Sequence, residues 1–557
     1  MGRLTSAYDA GGTGTPLVGD TIGAFLAKVV ARQPEVEALV SLHQGVRLTY
    51  GDFALEVDRV ARGLLGIGVE KGDRVGIWAP TCAEWTLLQF ASARVGAILV
   101  NINPAYRPHE LAYALGQSGV RVLVTARAFK TSDYLAMLAE VRPGLTQLER
   151  VITIDGEAAN GRDDIVWSDL VAAEAGVDAE RLTAREAELD PDDPINIQYT
   201  SGTTGSPKGA TLSHHNILNN AMSVANIVRY TNADRVCVPV PLYHCFGMGI
   251  GNLGCISTGA TIVYPAASFE PEATLRAVAD ERCTSIYGVP TMFIAELDHP
   301  RFAEFDLTSL RTGMMGGAPC PVEVMKRVVH DMHASEICII YGMTETSPVS
   351  FITRPDDDIE RRVTTVGTVL PGVEAKVIDP ATGRTVEAGA PGEVCTRGYV
   401  VMRGYWENAE ATREAVDDAG WMHTGDVGVM DDAGYLNIVG RIKDMVIRGG
   451  ENLYPREIEE VFFSHPSVAS AQVIGVPDER MGEELMAWVV LREGATTTED
   501  ELRTFCRSQV AHFKVPRYIR FVTDFPMTVT GKVQKFKMRE VAIEELGLQK
   551  AASIKTA

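Results

Sequence analysis

The sequence predicts an α/β protein in two parts. A large N-terminal domain of several subdomains with layered α/β sheets is expected over residues 1–440, a hinge at 441–444, and a small α+β domain over 445–557. Three observations point there. The chain has 557 residues, more than one ordinary core organises. Short apolar runs alternate with amphipathic stretches through the first half, the pattern of a layered sheet with largely parallel strands, whose carboxyl ends are where ligands bind. Beyond Gly440-Arg441-Ile442-Lys443-Asp444 the chain could build a separate compact unit of about a hundred residues, an ordinary domain size.

The individual elements follow in order. Thr21 to Arg32 reads as a helix. Thr49 to Phe53 opens a second helix that puts Val57, Val60, Ala61, Leu64 and Leu65 on one face. Arg74 to Ala79 and Ala97 to Ile102 read as strands around a helix from Glu84 to Val95. The acidic, Ala-rich stretch from Glu157 to Asp193 reads as a solvated surface helix with connectors. Ile195, Ile197 and Tyr199 alternate with Asn196, Gln198 and Thr200 as in a half-buried strand. Ser213 is placed to cap a helix carrying Ile217, Leu218, Ala221, Met222, Ala225 and Val228. Residues between these two elements are expected to form a strand-to-helix loop.

From Val236 to Phe269 there is no Asp, Glu, Lys or Arg, yet Pro239, Pro241, His244, Asn252 and several glycines interrupt the run. No twenty-residue apolar helix fits it, so no integral membrane segment is expected, and a buried strand and loop lining a pocket is. Buried strands are expected to end at Gly288-Val289-Pro290, at Gly316-Gly317-Ala318-Pro319 and at Tyr341. In the small domain Pro455 takes a first helical position ahead of Ile458, Val461 and Phe462, and Thr498 with Glu501 makes a capping-box pair. Leu485 to Leu491 and Tyr518 to Val522 complete a small sheet.

Bulk properties exclude several classes. A formal charge of -21 argues against nucleic acid as the partner, and an anionic ligand must be met by locally placed cations and backbone N–H groups. The nine cysteines are scattered with no CxxC pair, which reads as reduced core thiols, a cytoplasmic location and no zinc site. The Gly- and Thr-rich N-terminus has no basic segment followed by an apolar core, so no signal peptide is expected, and Ser553 to Ala557 is not a peroxisomal address.

The densest chemistry lies in Tyr199-Thr200-Ser201-Gly202-Thr203-Thr204-Gly205-Ser206-Pro207-Lys208-Gly209-Ala210, with three glycines, five Ser/Thr hydroxyls, a proline and a lysine. Such a loop lets a phosphate chain approach backbone N–H groups closely. It is not a Walker A loop: counted from Gly202 the spacing leads to Pro207-Lys208, and Gly209 stands where Ser or Thr would bind magnesium. Taken alone it is equally well read as a flexible surface loop. His244, in Pro239 to Gly247, is by residue type more often a satisfied core histidine than a catalytic one. Tyr341-Gly342-Met343-Thr344-Glu345-Thr346 brings an aromatic, a hydroxyl and a carboxylate to a strand end, where they could stack a base, bind phosphate and hold magnesium.

The twelve-residue string resembles the phosphate-binding signature of the adenylate-forming superfamily, which includes acyl-CoA synthetases, firefly-type luciferases and peptide-synthetase adenylation domains. The other motifs follow in the superfamily's order across nearly the whole chain. The resemblance implies that Thr200, Ser201, Gly202, Thr203, Thr204, Gly205 and Lys208 hold the ATP phosphates. It implies that Gly317, Ala318 and Pro319 border the adenine, that Tyr341 stacks on it beside Gly342 and Met343, and that Thr344 lies near the α-phosphate. Glu345 with Thr200 is the implied magnesium site, and Asp426 and Arg441 the implied ribose contacts. His244, Phe246, Val289, Gly316 and Gly317 are the implied acyl pocket, Lys443 the pivot, and Gly449, Gly450 and Glu451 the CoA-binding loop. Lys532, in Pro526 to Lys532, is the implied catalytic lysine.

The implied chemistry joins a small-molecule carboxylic acid to coenzyme A through an acyl-adenylate, with ATP, Mg2+ and CoA required. Catalysis then rests on placing two anions together and neutralising developing charge. The strings Arg448 to Pro455 and Ser206 to Ser213 are most similar to medium-chain acyl-CoA synthetases, with aryl acids such as coumarate as the alternative substrate class. A luciferase-like enzyme, a carrier-loading adenylating enzyme and a ligand-binding pseudoenzyme are further alternatives. The pseudoenzyme would be expected to lack Lys532, Glu345 or Asp426, and this chain has all three. The sequence leaves open whether the chain pairs as a homodimer.

Overall fold

The structure is a computed structural model that describes residues 3–12, 16–159, 161, 163–200, 207–318, 320–448, 451–527 and 533–552. Its α-carbon contacts divide the chain into two compact units, one of Asp9–Ala375 with Thr396–Met422 and one of Met1–Tyr8, Lys376–Cys395 and His423–Ala557. The architecture is mixed α/β, with a large N-terminal domain and a smaller C-terminal one.

The larger unit contains an eight-stranded and a nine-stranded sheet. In the eight-stranded sheet Arg74–Trp78, Ile98–Asn101, Val122–Thr125 and Arg150–Thr153 are parallel. The helices Tyr50–Gly66 and Ala83–Val95 separate successive strands, as the alternation predicts. Tyr50–Gly66 begins at Thr49, whose side chain accepts from the Asp52 N–H in a capping box, and it buries Val57, Val60, Ala61, Leu64 and Leu65. One core packed on this sheet is built on Trp78, Val100, Leu111, Leu123 and Val151, with Trp78 stacked on Tyr134 at 3.7 Å between ring centroids.

Two local expectations are corrected. Pro194–Thr200 is followed not by a loop running directly into a helix but by a second strand, Lys208–Ser213, paired antiparallel with it in a register that sets Thr200 opposite Lys208. Only then does the helix His214–Ile227 begin, capped by Ser213 as expected. Gly209 hides this strand in the sequence because glycine reads as a loop residue, yet a Cβ there would come within 2.9 Å of Ile197 Cγ2. The glycine permits close strand packing. Likewise Phe246–Leu253 is a π-helix that continues into the helix Gly254–Thr258, where a loop is expected. A Cβ at Gly247 would meet the Pro241 carbonyl at 2.4 Å and one at Gly251 would meet Val238 Cγ1 at 2.9 Å. These glycines serve close approach within a buried helical segment.

In the nine-stranded sheet Ser285–Gly288, Thr312–Gly316 and Cys338–Tyr341 lie side by side and parallel. The second unit holds the strand Met422–Met430 from His423 onward, paired antiparallel with Leu436–Arg441, and a five-stranded sheet around the long ribbon of Val468–Asp478 and Gly482–Leu491. Helices Pro455–Phe463 and Glu499–Gln509 cover one side of that ribbon through Ile458, Phe462, Leu502 and Cys506, and Lys535–Glu545 packs Met538 and Ala542 into a second cluster with Trp488 and Phe525. No helix among the described residues is long and apolar enough to cross a membrane.

Candidate active site

Three adjacent parallel strands present their carboxyl ends together. Gly288 pairs with Met315 and Gly316 with Ile340, so the turns at Val289, Gly317 and Tyr341 are neighbours. Gly317 has φ +81°, which favours glycine, and a Cβ there would sit 3.4 Å from Val289 Cγ1. Gly342 lies against backbone: a Cβ would fall 2.0 Å from the Pro348 carbonyl oxygen. Tyr341 is half-buried, 6.1 Å from Phe351 between centroids, and Ala318 is half-buried, while Pro319 lies outside the described residues. The Met343 N–H donates to Thr346 Oγ1 at 3.1 Å, which closes the tight turn that carries Thr344 and Glu345.

Glu345 is 4% exposed. Its Oε1 accepts from the Tyr405 hydroxyl at 2.8 Å and from Thr200 Oγ1 at 3.3 Å. Burial first, and then the Glu345 charge, pushes the Tyr405 phenol well up, so it stays a donor. Lys208 Nζ stands 5.1 Å from the centre of the Tyr405 ring, within cation–π range. Thr200 and Lys208, which flank 201–206, therefore both gather at Tyr405 and Glu345. Residues Ser201, Gly202, Thr203, Thr204 and Gly205 lie outside the described residues. Tyr405 carries no local signal in the sequence: its role is visible only because Gly404–Tyr405 pairs with Lys208–Ser213.

His244 adjoins this turn through Cys245, whose Sγ lies 3.6 Å from both His244 Nδ1 and Thr344 Oγ1. The Phe246 N–H donates to His244 Nδ1 at 3.3 Å, so in the neutral ring Nε2 bears the hydrogen. Phe246 stacks on Tyr287 with centroids 5.5 Å apart and planes 17° from parallel, giving a flat apolar wall at the strand ends.

In the second unit Asp426 and Arg441 are register partners, and Arg441 Nε lies 2.9 Å from Asp426 Oδ1. Asp426 is 8% exposed, whereas the Arg441 side chain is half in solvent. The residues before Asp426 are tied to Pro391–Gly398: His423 Nδ1 lies 3.0 Å from Glu393 Oε2, and the Gly425 N–H donates to Glu393 Oε1 at 3.1 Å. Among the described residues Glu393, Cys395 and His423 also bring their donor atoms within 4.8 Å of one another. The imidazole–carboxylate hydrogen bond accounts for the closest pair. Lys443 is exposed on the turn Ile442–Asp444. Glu451–Leu453 pairs with Val446–Arg448, and Gly449, Gly450 and Lys532 lie outside the described residues.

Comparison with known proteins shows the family. The model of the AMP-binding enzyme family matches residues 26–406 and that of the AMP-binding enzyme C-terminal domain matches 457–532. The chain belongs to the AMP-binding enzyme family. It is 45% identical over 96% of its length, and 99% of the relative's, to a putative acyl-CoA synthetase YngI of Bacillus subtilis. It is 44% identical over 98% of its length to the mitochondrial medium-chain acyl-CoA ligase ACSF2 of Danio rerio, covering 92% of that protein. The crystal structure of ATP-bound MatB from Rhodopseudomonas palustris superposes with a TM-score of 0.83 at 31% identity, covering 94% of this chain and 99% of that one.

Within this AMP-binding enzyme the oxygen set at Glu345 fits a hard divalent ion: a buried carboxylate and a threonine hydroxyl, with no soft ligand bonded to Glu345 among the described residues. Glu393 joins Tyr405 as a residue the motifs do not single out, because its contacts reach across 30 and 32 residues of sequence.

Proposed function

We propose that this AMP-binding enzyme is an ATP-dependent acyl-CoA synthetase that converts a carboxylic acid, ATP and CoA to acyl-CoA, AMP and pyrophosphate through an acyl-adenylate, with a medium-chain fatty acid as the acid. The observation that carries it is the buried Glu345 carboxylate held beside Thr200 at the carboxyl ends of parallel strands, in a chain that aligns end to end with proteins named for acyl-CoA synthesis.

In the first half-reaction the substrate carboxylate attacks the α-phosphorus and pyrophosphate leaves. A carboxylate needs no general base, so the enzyme's task is alignment and charge neutralisation. Tyr341 supplies a face for the adenine beside Gly317, Ala318 and Pro319, and Asp426 with Arg441 takes the ribose. Residues 201–206, with Thr200 and Lys208 on either side of them in the chain, hold the β- and γ-phosphates. Lys532 brings the positive charge that developing oxyanion character requires. Mg2+ held by Glu345 and Thr200 would supply further neutralisation of phosphate charge. His244 and Phe246, with Val289 and Gly316, border the acid; the flat Phe246–Tyr287 pair suits an apolar chain.

In the second half-reaction the CoA thiol releases its proton to solvent, its sulfur attacks the acyl carbonyl, the thioester bond forms, and the bond to AMP breaks with the electron pair leaving on the AMP phosphate. The Gly449-Gly450-Glu451 segment borders the pantetheine arm. The two steps are served by domains 1–440 and 445–557 turning about Lys443, which withdraws Lys532 and brings in the CoA loop. Nine free, buried cysteines support a reducing, cytoplasmic setting. The test is pyrophosphate release across acids of increasing chain length and across coumarate-type acids, with and without CoA. A maximum at medium chain length supports the substrate class, and a preference for aryl acids would overturn it.

A further inference from the structure

We infer that Glu393 is the positioning residue for ribose recognition: its carboxylate sets the backbone turn that aims Asp426, and the inference rests on Asp426 being the ribose ligand. Strand Met422–Met430 reaches Asp426 through Gly425, whose φ of +69° turns the chain just before the carboxylate. Every residue of that approach is pinned. Glu393 Oε1 accepts the Gly425 N–H at 3.1 Å and Oε2 lies 3.0 Å from His423 Nδ1. A carboxylate only accepts, so His423 Nδ1 carries the hydrogen. Thr424 Oγ1 donates to the Val394 carbonyl at 2.7 Å and receives the Asp426 N–H at 3.1 Å.

Glu393 thus grips the approach to Asp426 at two points, His423 and Gly425, with one side chain, itself only 9% exposed, where hydrogen bonds to a charged acceptor are strong. Asp426 is fixed on its far side by Arg441 at 2.9 Å. Arg441 is half exposed, so this contact is the weaker of the two constraints. A carboxylate that must accept from two vicinal hydroxyls at once tolerates little rotation. Losing the Glu393 grip lets the Gly425 turn relax and shifts the Asp426 carboxylate, which is still present, out of that bidentate geometry.

The experiment compares ATP with 2′-deoxy- and 3′-deoxy-ATP in pyrophosphate release, for wild type, Asp426→Ala, Glu393→Ala, Glu393→Gln and Thr424→Val. Wild type should favour ATP over either deoxynucleotide by about tenfold in kcat/KM, the worth of one good hydrogen bond to a charged group. Glu393→Ala should raise the KM for ATP about tenfold with a far smaller change in kcat, and should shrink the discrimination to about twofold or less. Glu393→Gln should restore it, because the amide oxygen still accepts from Gly425 and the amide N–H can donate to His423 in its other tautomer. Thr424→Val, which keeps the shape and removes the acceptor of the Asp426 N–H, should act like Glu393→Ala and serves if that variant fails to fold. If Asp426→Ala erases the discrimination and both Glu393→Ala and Thr424→Val keep it, the positioning role is overturned. If Asp426→Ala itself keeps it, the ribose assignment falls and this inference with it.

Discussion

Replacing Glu296 should stabilise the protein, and by an amount that depends on pH. Glu296 lies on the helix Pro290–Leu297, is fully buried, and has neither carboxyl oxygen hydrogen-bonded among the described residues. Burial pushes its carboxyl well above the usual range. In the unfolded chain the group titrates near a pKa of about 4.3. Above that pH the folded state binds more protons than the unfolded state, so wild-type stability falls by about 1.4 kcal/mol for each pH unit until the folded-state value is reached. Glu296→Gln removes this linkage and keeps the shape. Its stability advantage should therefore be absent below pH about 4 and should grow with that slope through the mildly acidic range. For a unit of about 400 residues the unfolding entropy is about 0.8 kcal/mol/K, so the advantage in Tm should grow by roughly 1.5–2 °C per pH unit. Glu296→Met also removes the unpaired polar group and should gain a further ~1–3 kcal/mol at every pH. Calorimetric Tm values of the three proteins from pH 4 to 8 provide the measurement. A Gln variant whose Tm difference from wild type does not change with pH would show that the buried carboxyl is not proton-linked to folding, and the reasoning would fail.

Three further outcomes are expected. Lys532→Ala should abolish acyl-AMP formation while sparing thioester formation from supplied acyl-AMP, and equal loss of both steps would remove the lysine from its assigned half-reaction. Gly342→Ala, whose Cβ would meet the Pro348 carbonyl at 2.0 Å, should displace the Tyr341 turn and weaken ATP binding at least tenfold in calorimetric titration; wild-type affinity would mean that the turn does not carry the adenine. Lys208→Met removes the cation 5.1 Å from the Tyr405 ring and should raise the KM for ATP several-fold with adenylation otherwise intact, whereas abolished adenylation would make Lys208 a catalytic group.

Helix starts were the most legible part of the fold, because their signals are local. Ser213 and Thr498 cap the helices expected of them, and Thr21 and Thr49, read as the first residues of theirs, prove to be their caps, each accepting from the N–H three residues on. The parallel strands that end at Gly288, Gly316 and Tyr341 were legible from apolar runs closed by Gly or an aromatic. What stayed hidden depends on partners far along the chain. Lys208–Ser213 is a strand because Pro194–Thr200 and Gly404–Tyr405 flank it, and Gly209 reads as a loop until Ile197 is seen against it. Phe246–Leu253 coils as a helix whose glycines answer to Pro241 and Val238. At the site Glu345, Asp426 and Arg441 stand in recognisable strings, whereas Tyr405 reaches Glu345 across 60 residues and Glu393 reaches Gly425 across 32. A motif shows which groups can do chemistry, and the fold decides which groups hold them.

The central claim is that a carboxylic acid is activated as its adenylate and passed to CoA. Its most direct test is the stoichiometry of products from one incubation with ATP, Mg2+, CoA and a medium-chain fatty acid. Acyl-CoA, AMP and pyrophosphate should appear in equal amounts, with only a trace of acyl-AMP when CoA is present and its accumulation on the enzyme when CoA is withheld. Formation of ADP and phosphate, or adenylate that CoA does not consume, would contradict it.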